Sequence, residues 1–255
     1  MLSRPSILIV RHPTKMTRFY DVVLNWMANH APECRAHFEV KNLPCDVTDW
    51  GKLRLLVPWL QDPVQAWSPD TYTLIEKLAD QCESRGIPVI NRARNLVNAG
   101  KTAAAEIISK SGFRTPRTLR ILDMQAFRQD FNGMSVPFFV REDWGHGSAI
   151  LRANTLDEAR ALPLESFKRP VVTELVDVRD ERDGLFRKYR YFAAGEHGVA
   201  QHLQCSEEWI TRGAGRVFTD ATRDEELAYI ARQDPHHVRF QAARRALGLD
   251  VAAFD

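Results

Sequence analysis

The chain has 255 residues, enough for about two domains of ~100–150 residues and for a core that needs no covalent staples. Hydrophobic residues make up 44% and charged residues 27%, an ordinary globular balance, and no apolar run approaches the ~18 residues of a membrane span. The 35 basic and 33 acidic residues leave a net charge of +2. They are interleaved, as in Arg179-Asp-Glu-Arg-Asp183, which argues against a basic nucleic-acid-binding face. The four cysteines (Cys34, Cys45, Cys82, Cys205) are scattered and form no CxxC pair, so neither zinc nor a disulfide framework is expected, and a reducing cytoplasm fits best.

Residues 6–10 form a short β-branched run that reads as a buried strand. Phe19, Val22, Val23, Trp26 and Met27 follow at i, i+3, i+4, i+7, i+8 and predict one apolar helix face. Strands are expected at 37–40 and 53–56. A second helix face comprises Leu74, Ile75, Leu78, Ala79 and Cys82, closed by Gly86, and a fourth strand is expected at 87–90. This alternation predicts an α/β domain with a mainly parallel sheet over residues 1–95.

The alanine-rich segment 101–111 reads as a helix ended by Gly112. Strands are predicted at 117–122, 136–140 and 149–152, with helices at 124–131 and 156–161. Further strands are predicted at 171–176, 189–194 and 199–203, then helices at 223–232 and 235–248, and a last strand beginning at 251–254. Hairpins with connecting helices imply an α+β architecture, divided here as 96–170 and 171–255.

Several residues invite a chemical reading. Gly145 and Gly147, in Gly145-His-Gly-Ser148, let backbone N–H groups approach an anion closely. The loop joins two strands, so it is neither a Walker A loop nor a Rossmann fingerprint, and alone it reads as a hairpin turn. Arg141 ends an apolar strand, either as a solvated strand end or as a guanidinium fork for phosphate. Lys101 opens a helix, where a cation opposes the dipole, a small hint of an anionic partner. Glu174-Leu175-Val176 is either a strand end or a connector offering backbone groups to an adenine edge. Alternation puts Lys188 and Arg190 on one strand face, suited to a phosphate or acyl-phosphate oxyanion. His202 reads as a half-buried histidine, with a substrate cleft as the alternative. Arg11, just after the first strand, sits where α/β sheets bind ligands and is a candidate for the acceptor-substrate pocket. Cys205 has no partner base in any motif, and adjacent His236 and His237 point different ways along a helix, which argues against a metal there.

Six segments in order carry a family resemblance. They are Ile87-Pro-Val-Ile-Asn91 with Asn98-Ala-Gly-Lys101-Thr, Gly112-Phe-Arg-Thr-Pro116, and Val136-Pro-Phe-Phe-Val-Arg141 through Gly145-His-Gly-Ser148. Val172-Thr-Glu174-Leu-Val176, Phe186-Arg-Lys-Tyr-Arg190 with Gly195, and Ala246-Leu-Gly-Leu-Asp-Val-Ala-Ala-Phe-Asp255 complete the set. Together they resemble the ATP-grasp carboxylate–amine ligases of the glutathione-synthetase-like type, over nearly the whole chain. The resemblance implies a Rossmann-like pre-ATP-grasp domain followed by ATP-grasp subdomains, with ATP and Mg²⁺ as cofactors. It implies Lys101 and Arg141 on the ATP phosphates, with Gly145, Gly147 and Ser148 closing over them. Glu174, Leu175 and Val176 then line adenine and ribose, Lys188 and Arg190 face the reacting phosphate, and Asp255 is a metal ligand. The implied reaction forms an acyl phosphate from a carboxylate, which an amine or another nucleophile displaces. Small-molecule or peptide substrates are implied, and such proteins often pair as homodimers.

Two positions depart from the family pattern. Arg141 stands where lysine is usual, and no E-x-N motif follows Asp255. The expectation is that the metal-binding strand belongs to a segment beyond this sequence. The alternative is a non-catalytic nucleotide-binding or scaffold relative.

Overall fold

In the computed structural model, residues 6–14, 17–61, 63–144, 149–211 and 214–255 are described. They form two units, Met1–Gly100 and Lys101–Asp255. In the first, β1 (Ser6–Arg11) carries Leu8, Ile9 and Val10, all buried, and is flanked in parallel by β2 (Phe38–Asn42) and β3 (Leu53–Trp59). A strand buried on both faces is a continuous apolar run, as in parallel sheets generally. The connections run through α1 (Thr17–His30) and the short α2 (Pro32–Arg35), and after β3 through the short α3 (Val64–Trp67) into α4 (Pro69–Glu83). Proline at the first position of α4 removes an N–H that would have had no helical partner. The apolar face predicted for this helix sends Ile75, Leu78, Ala79 and Cys82 into one core with Leu8, Val10 and Leu56.

Two expectations change here. In α1, Leu24 is buried, whereas Val22 and Trp26 are 61% and 57% exposed. The helix rests on a narrower stripe than its apolar spacing suggests, and Trp26 stacks on His30 at its outer surface. The side chain of Phe19 lies outside the described set. The segment 87–90 makes only a single parallel bridge, Val89 with Leu56. The Leu56 N–H donates to the Pro88 carbonyl (3.0 Å) and the Ile90 N–H donates back to Leu56 (2.9 Å). Pro88 has no N–H of its own to extend the ladder. Just beyond, buried Arg92 reaches Glu76, Asp80 and Glu83, which line one face of α4.

The second unit holds two antiparallel sheets. Four strands, β4 (Thr118–Arg120), β5 (Phe138–Glu142), β6 (Ile150–Ala153) and β7 (Pro170–Glu174), are ordered β4-β7-β5-β6. β7 is thus paired on both sides within the sheet formed by residues before 171. The unit begins with α5 (Lys101–Ser109). α6 (Met124–Asp130), N-capped by the Asp123 carboxylate, and α7 (Leu156–Arg160), N-capped by Thr155, belong to the same half of the chain. Phe127, Phe131, Phe138, Val140, Ala159 and Val172 form the core of this layer.

The other sheet comprises β8 (Phe186–Ala194), β9 (His197–Ser206) and β10 (Val251–Phe254), ordered β10-β8-β9. α8 (Asp220–Ala231) and α9 (His237–Ala246) supply the aromatics that cover one face. Tyr191 stacks on Phe240 of α9 with ring centroids 4.4 Å apart, Phe240 also meets Phe254 at 5.2 Å, and Tyr189 meets Tyr229 of α8 at 5.0 Å. A bulge interrupts β9: Arg190 pairs with His202 but Tyr191 pairs with Ala200, leaving Gln201 as the extra residue. Without it, Ala200 and Leu203 would point to opposite faces. With it, both are buried on the helix side. Among the described residues, no helix is long and apolar enough to cross a membrane.

Gly198 faces Ala193 across the hairpin, and a Cβ placed there would lie 1.8 Å from the Tyr191 hydroxyl oxygen. That hydroxyl is held by Nδ1 of His237. Gly198→Ala is therefore expected to destabilise this unit by about 1–3 kcal/mol through overpacking. Chemical denaturation checks this, and an unchanged unfolding midpoint would show that the Tyr191 ring moves aside freely.

Candidate functional site

The two-residue repeat of β8 sorts its side chains. Arg187, Tyr189 and Tyr191 turn toward the helices, and Lys188 and Arg190 turn to the opposite face. Asp255 follows Phe254, whose ring is on the helix side, so the Asp255 carboxylate emerges beside Arg190. The Arg190 guanidinium grips it with both arms, Nε to Oδ1 at 2.5 Å and Nη2 to Oδ2 at 2.7 Å. Lys188 Nζ stands 3.6 Å from Oδ2. His202 and Gln204 pair with Arg190 and Lys188 across the ladder and share their face. His202 Nε2 and Gln204 Oε1 are buried without a hydrogen-bond partner among the described residues. Burial, and then the charges of Arg190 and Lys188, hold the His202 imidazole below its ordinary pKa. For Asp255, burial resists ionisation, but the Arg190 fork and the nearby cations outweigh it and keep the carboxyl below its usual range. Four residues singled out from sequence, Lys188, Arg190, His202 and Asp255, thus share one surface.

On the four-stranded sheet, Phe138 and Val140 enter the core, so Phe139 and Arg141 occupy the other face. The Arg141 guanidinium lies over the Phe139 ring at 5.2 Å. That ring is 5.5 Å from Trp209, and the Arg152 guanidinium lies over Trp209 at 5.6 Å. Trp209 arrives from the segment after β9, which is folded back by Ser206 Oγ donating to the Gly215 carbonyl (2.8 Å) and accepting from the Glu208 N–H (3.1 Å). The face bearing Arg141 is therefore the one that receives the segment leaving β9. Arg152 and Trp209 carry no motif, and their sequence neighbours do not announce them.

Asp143 is a second residue that sequence reasoning missed. Nearly buried at 7% exposure, it accepts from the Thr102 N–H (2.9 Å) and the Thr102 hydroxyl (3.1 Å), with Arg169 at 3.5 Å and Arg120 at 3.8 Å. A carboxylate at a helix N-terminus satisfies orphan N–H groups and favours the dipole. It offsets the unfavourable cation at Lys101, the first residue of α5, and fastens that turn to the end of the strand bearing Arg141.

The other candidates are placed as follows. The Glu174 carboxylate accepts from the Arg117 N–H at 3.1 Å and lies 4.0 Å from Arg114, while its own N–H donates to the Arg117 carbonyl. Leu175 is half-buried and Val176 exposed. Gly145, Gly147 and Ser148 lie outside the described residues. In the first unit, Arg11 ends β1 at the carboxyl edge of the parallel sheet, bonded to Asn42 Oδ1 (3.1 Å) and Asp21 Oδ1 (2.5 Å). Among the described residues no group of three or more His, Cys, Asp and Glu could hold a metal ion. Mg²⁺ demands near-octahedral oxygen ligands, and both oxygens of Asp255 are engaged by Arg190, so the described side chains do not fit that ion.

No protein-family model matches the chain, and no curated protein matches it. Solved structures do. The ATP-grasp ligase PsnB complexed with minimal precursor shares 15% identity at a TM-score of 0.57, over 98% of this chain and 84% of that chain. The RimK domain protein ATP-grasp from Sphaerobacter thermophilus shares 13% at 0.55, over 96% and 84%. The D-alanine–D-alanine ligase from Bacillus anthracis shares 12% at 0.57, over 98% and 81%. The chain has the ATP-grasp fold. Among these neighbours, PsnB is also known complexed with precursor peptide PsnA2 and AMPPNP, and with minimal precursor, Mg and ADP.

Two predictions follow from this geometry. Asp143→Ala removes the cap of α5 and the shared partner of Arg120 and Arg169, and is expected to cost about 2 kcal/mol. Denaturation of the variant beside wild type measures it, and a loss near zero would mean water replaces the carboxylate. On the covered face of β8, Arg187 binds Asp183 (2.8 Å) and Glu225 (2.9 Å). Hydrogen bonds from Arg187 hold Asp183 down to about 2 and lower Glu225 as well. Both folded pKa values lie below the unfolded ones. Their stabilisation is therefore complete above the ordinary carboxylate range and is lost as pH falls toward about 2. Amide hydrogen exchange of residues 180–187 should accelerate over that acid window, relative to its intrinsic rate, before the four-stranded sheet opens.

Proposed function

We propose that the protein is an ATP-dependent ligase that activates a carboxylate as an acyl phosphate and joins it to an amine or a similar nucleophile. The observation that carries this reading is the occurrence, within one ATP-grasp unit, of two sheet faces bearing cations, Arg141 with Arg152 on one and Lys188 with Arg190 on the other. Lys101 and Arg141 neutralise the ATP phosphates, and Glu174, Leu175 and Val176 border adenine and ribose. Lys188 and Arg190 stabilise charge on the transferring phosphoryl group, preorganised donors being most effective where water is excluded. His202 contributes Nε2 to the substrate side.

The reaction is then balanced in two steps. A carboxylate oxygen attacks the γ-phosphorus and the bond to the bridging oxygen breaks, releasing ADP. The nucleophile then attacks the acyl carbon, the carbon–oxygen bond to phosphate breaks, and the nucleophile loses its proton. The substrates are a small-molecule or peptide carboxylate and an amine. Mg²⁺ is the metal of the neighbouring PsnB complex. The described side chains of this chain do not form its ligand set.

Arg141→Ala and Arg190→Ala are expected to lower ATP turnover by at least ~100-fold each while melting like wild type. Turnover unchanged in both would sink the assignment. A second reading, a nucleotide-binding relative without turnover, is favoured by the engagement of Asp255 with Arg190. It predicts ATP binding with no ADP release for any carboxylate and amine pair.

A further inference from the structure

We infer that the cavity between the edge strand β9 and the start of α8 is a binding site for a free α-amino acid with an apolar side chain. It lies on the helix side of the sheet, behind the face that bears Lys188 and Arg190, and does not depend on the ATP-dependent reading above. The cavity has a volume of about 420 Å³, within the ~300–1,000 Å³ usual for small-molecule sites. Leu203 and Cys205 of β9, with Val217 of the segment entering α8, supply an apolar wall. Burial pushes the Cys205 thiol above its ordinary range, so this wall carries no charge.

Two half-buried ionised groups also line the cavity, Arg216 and Glu226. The Arg216 guanidinium lies over the Phe218 ring at 4.5 Å, and its Nε is shut off from solvent without a hydrogen-bond partner among the described residues. Arg187 and Arg244 of the same unit have carboxylates of their own, Asp183 with Glu225 and Glu196. Arg216 makes no ion pair among the described residues. Glu226 is tied to the edge strand, its Oε1 accepting from the Leu203 N–H at 3.3 Å, and Oε2 is left for another donor. Asp220 and Arg223 stand exposed at the rim and cancel in charge. The helix end is not the feature, because Thr219 and Thr222 already close its first turn as a capping box. A guanidinium without a carboxylate and a carboxylate with a spare oxygen, beside one apolar wall, select a ligand that brings both charges. An α-carboxylate answers Arg216, an α-ammonium answers Glu226, and an apolar side chain covers Leu203, Cys205 and Val217. A simple anion would meet Glu226 as a like charge.

The test is calorimetry on the full chain with L-leucine, N-acetyl-leucine, which lacks the ammonium, and leucinamide, which lacks the carboxylate. Leucine is expected to bind, and each derivative at least ~tenfold more weakly, since each loses a charge-assisted hydrogen bond. Arg216→Gln is expected to weaken leucine by a similar factor and to leave leucinamide unchanged, and Glu226→Gln to weaken leucine as well. The absence of leucine binding to wild type overturns the inference, as do equal affinities for the three probes or leucine binding that both variants retain. Inorganic phosphate bound in place of leucine marks an anion site and overturns it too. The three-probe comparison is made on wild type, so it decides the matter even where a variant fails to fold.

Discussion

A sheet whose aromatic residues all turn to one face imposes the organisation of this protein's second unit. Once Tyr191, Phe254 and Tyr189 are committed to the aromatics of α8 and α9, the parity of every other residue of β8 and β10 is decided. Lys188, Arg190 and Asp255 fall on the opposite side because they alternate with residues that cannot. The bulge at Gln201 extends the rule to β9, since it keeps Leu203 in the core while returning His202 to the side of Arg190. A polar site is thus a by-product of apolar packing on the reverse face. Its geometry is as rigid as the core that fixes it, which is what stabilisation by preorganised charge requires.

The elements with clear periodicity were legible in the sequence. The run at 6–10, the second helix face with Ile75 and Leu78, and the alternation that sets Lys188 beside Arg190 all appear where the pattern places them. Legibility failed where partners distant in sequence decide the outcome. Apolar spacing in α1 says nothing of how much sheet lies beneath it, so Val22 and Trp26 remain exposed. Pro88 limits the segment 87–90 to one bridge, although its β-branched neighbours read as a strand. Asp143 lies 41 positions from Thr102, and no local signal joins a carboxylate after β5 to the first turn of α5. The bulge at Gln201 and the arrival of Trp209 on the other sheet are likewise consequences of register and chain path.

The surroundings of Arg141 suit arginine better than lysine. A guanidinium is planar and weakly hydrated, so it stacks on an aromatic ring while keeping its edge for hydrogen bonds; an ammonium is a hydrated point charge. Arg141 lies on Phe139, Phe139 meets Trp209, and Trp209 carries Arg152 on a neighbouring strand. A lysine would keep the charge and lose the stacking. The two arginines are therefore oriented by rings that join the four-stranded sheet to the segment leaving β9, so a movement of that segment changes the aim of both cations.

Arginine does not release its proton in the physiological range, and so a surface built on Arg190 stays charged at any working pH. Holding such a charge half-buried without an anion carries a desolvation cost, and removing one partner of a pair leaves the other uncompensated. On this surface the answering charge comes from a carboxylate. Phe254 is anchored against Phe240, and the strand parity that this fixes turns the Asp255 carboxylate toward Arg190. The ion pair between Arg190 and Asp255 is thus set by apolar packing on the opposite face of the sheet, and each partner compensates the charge of the other.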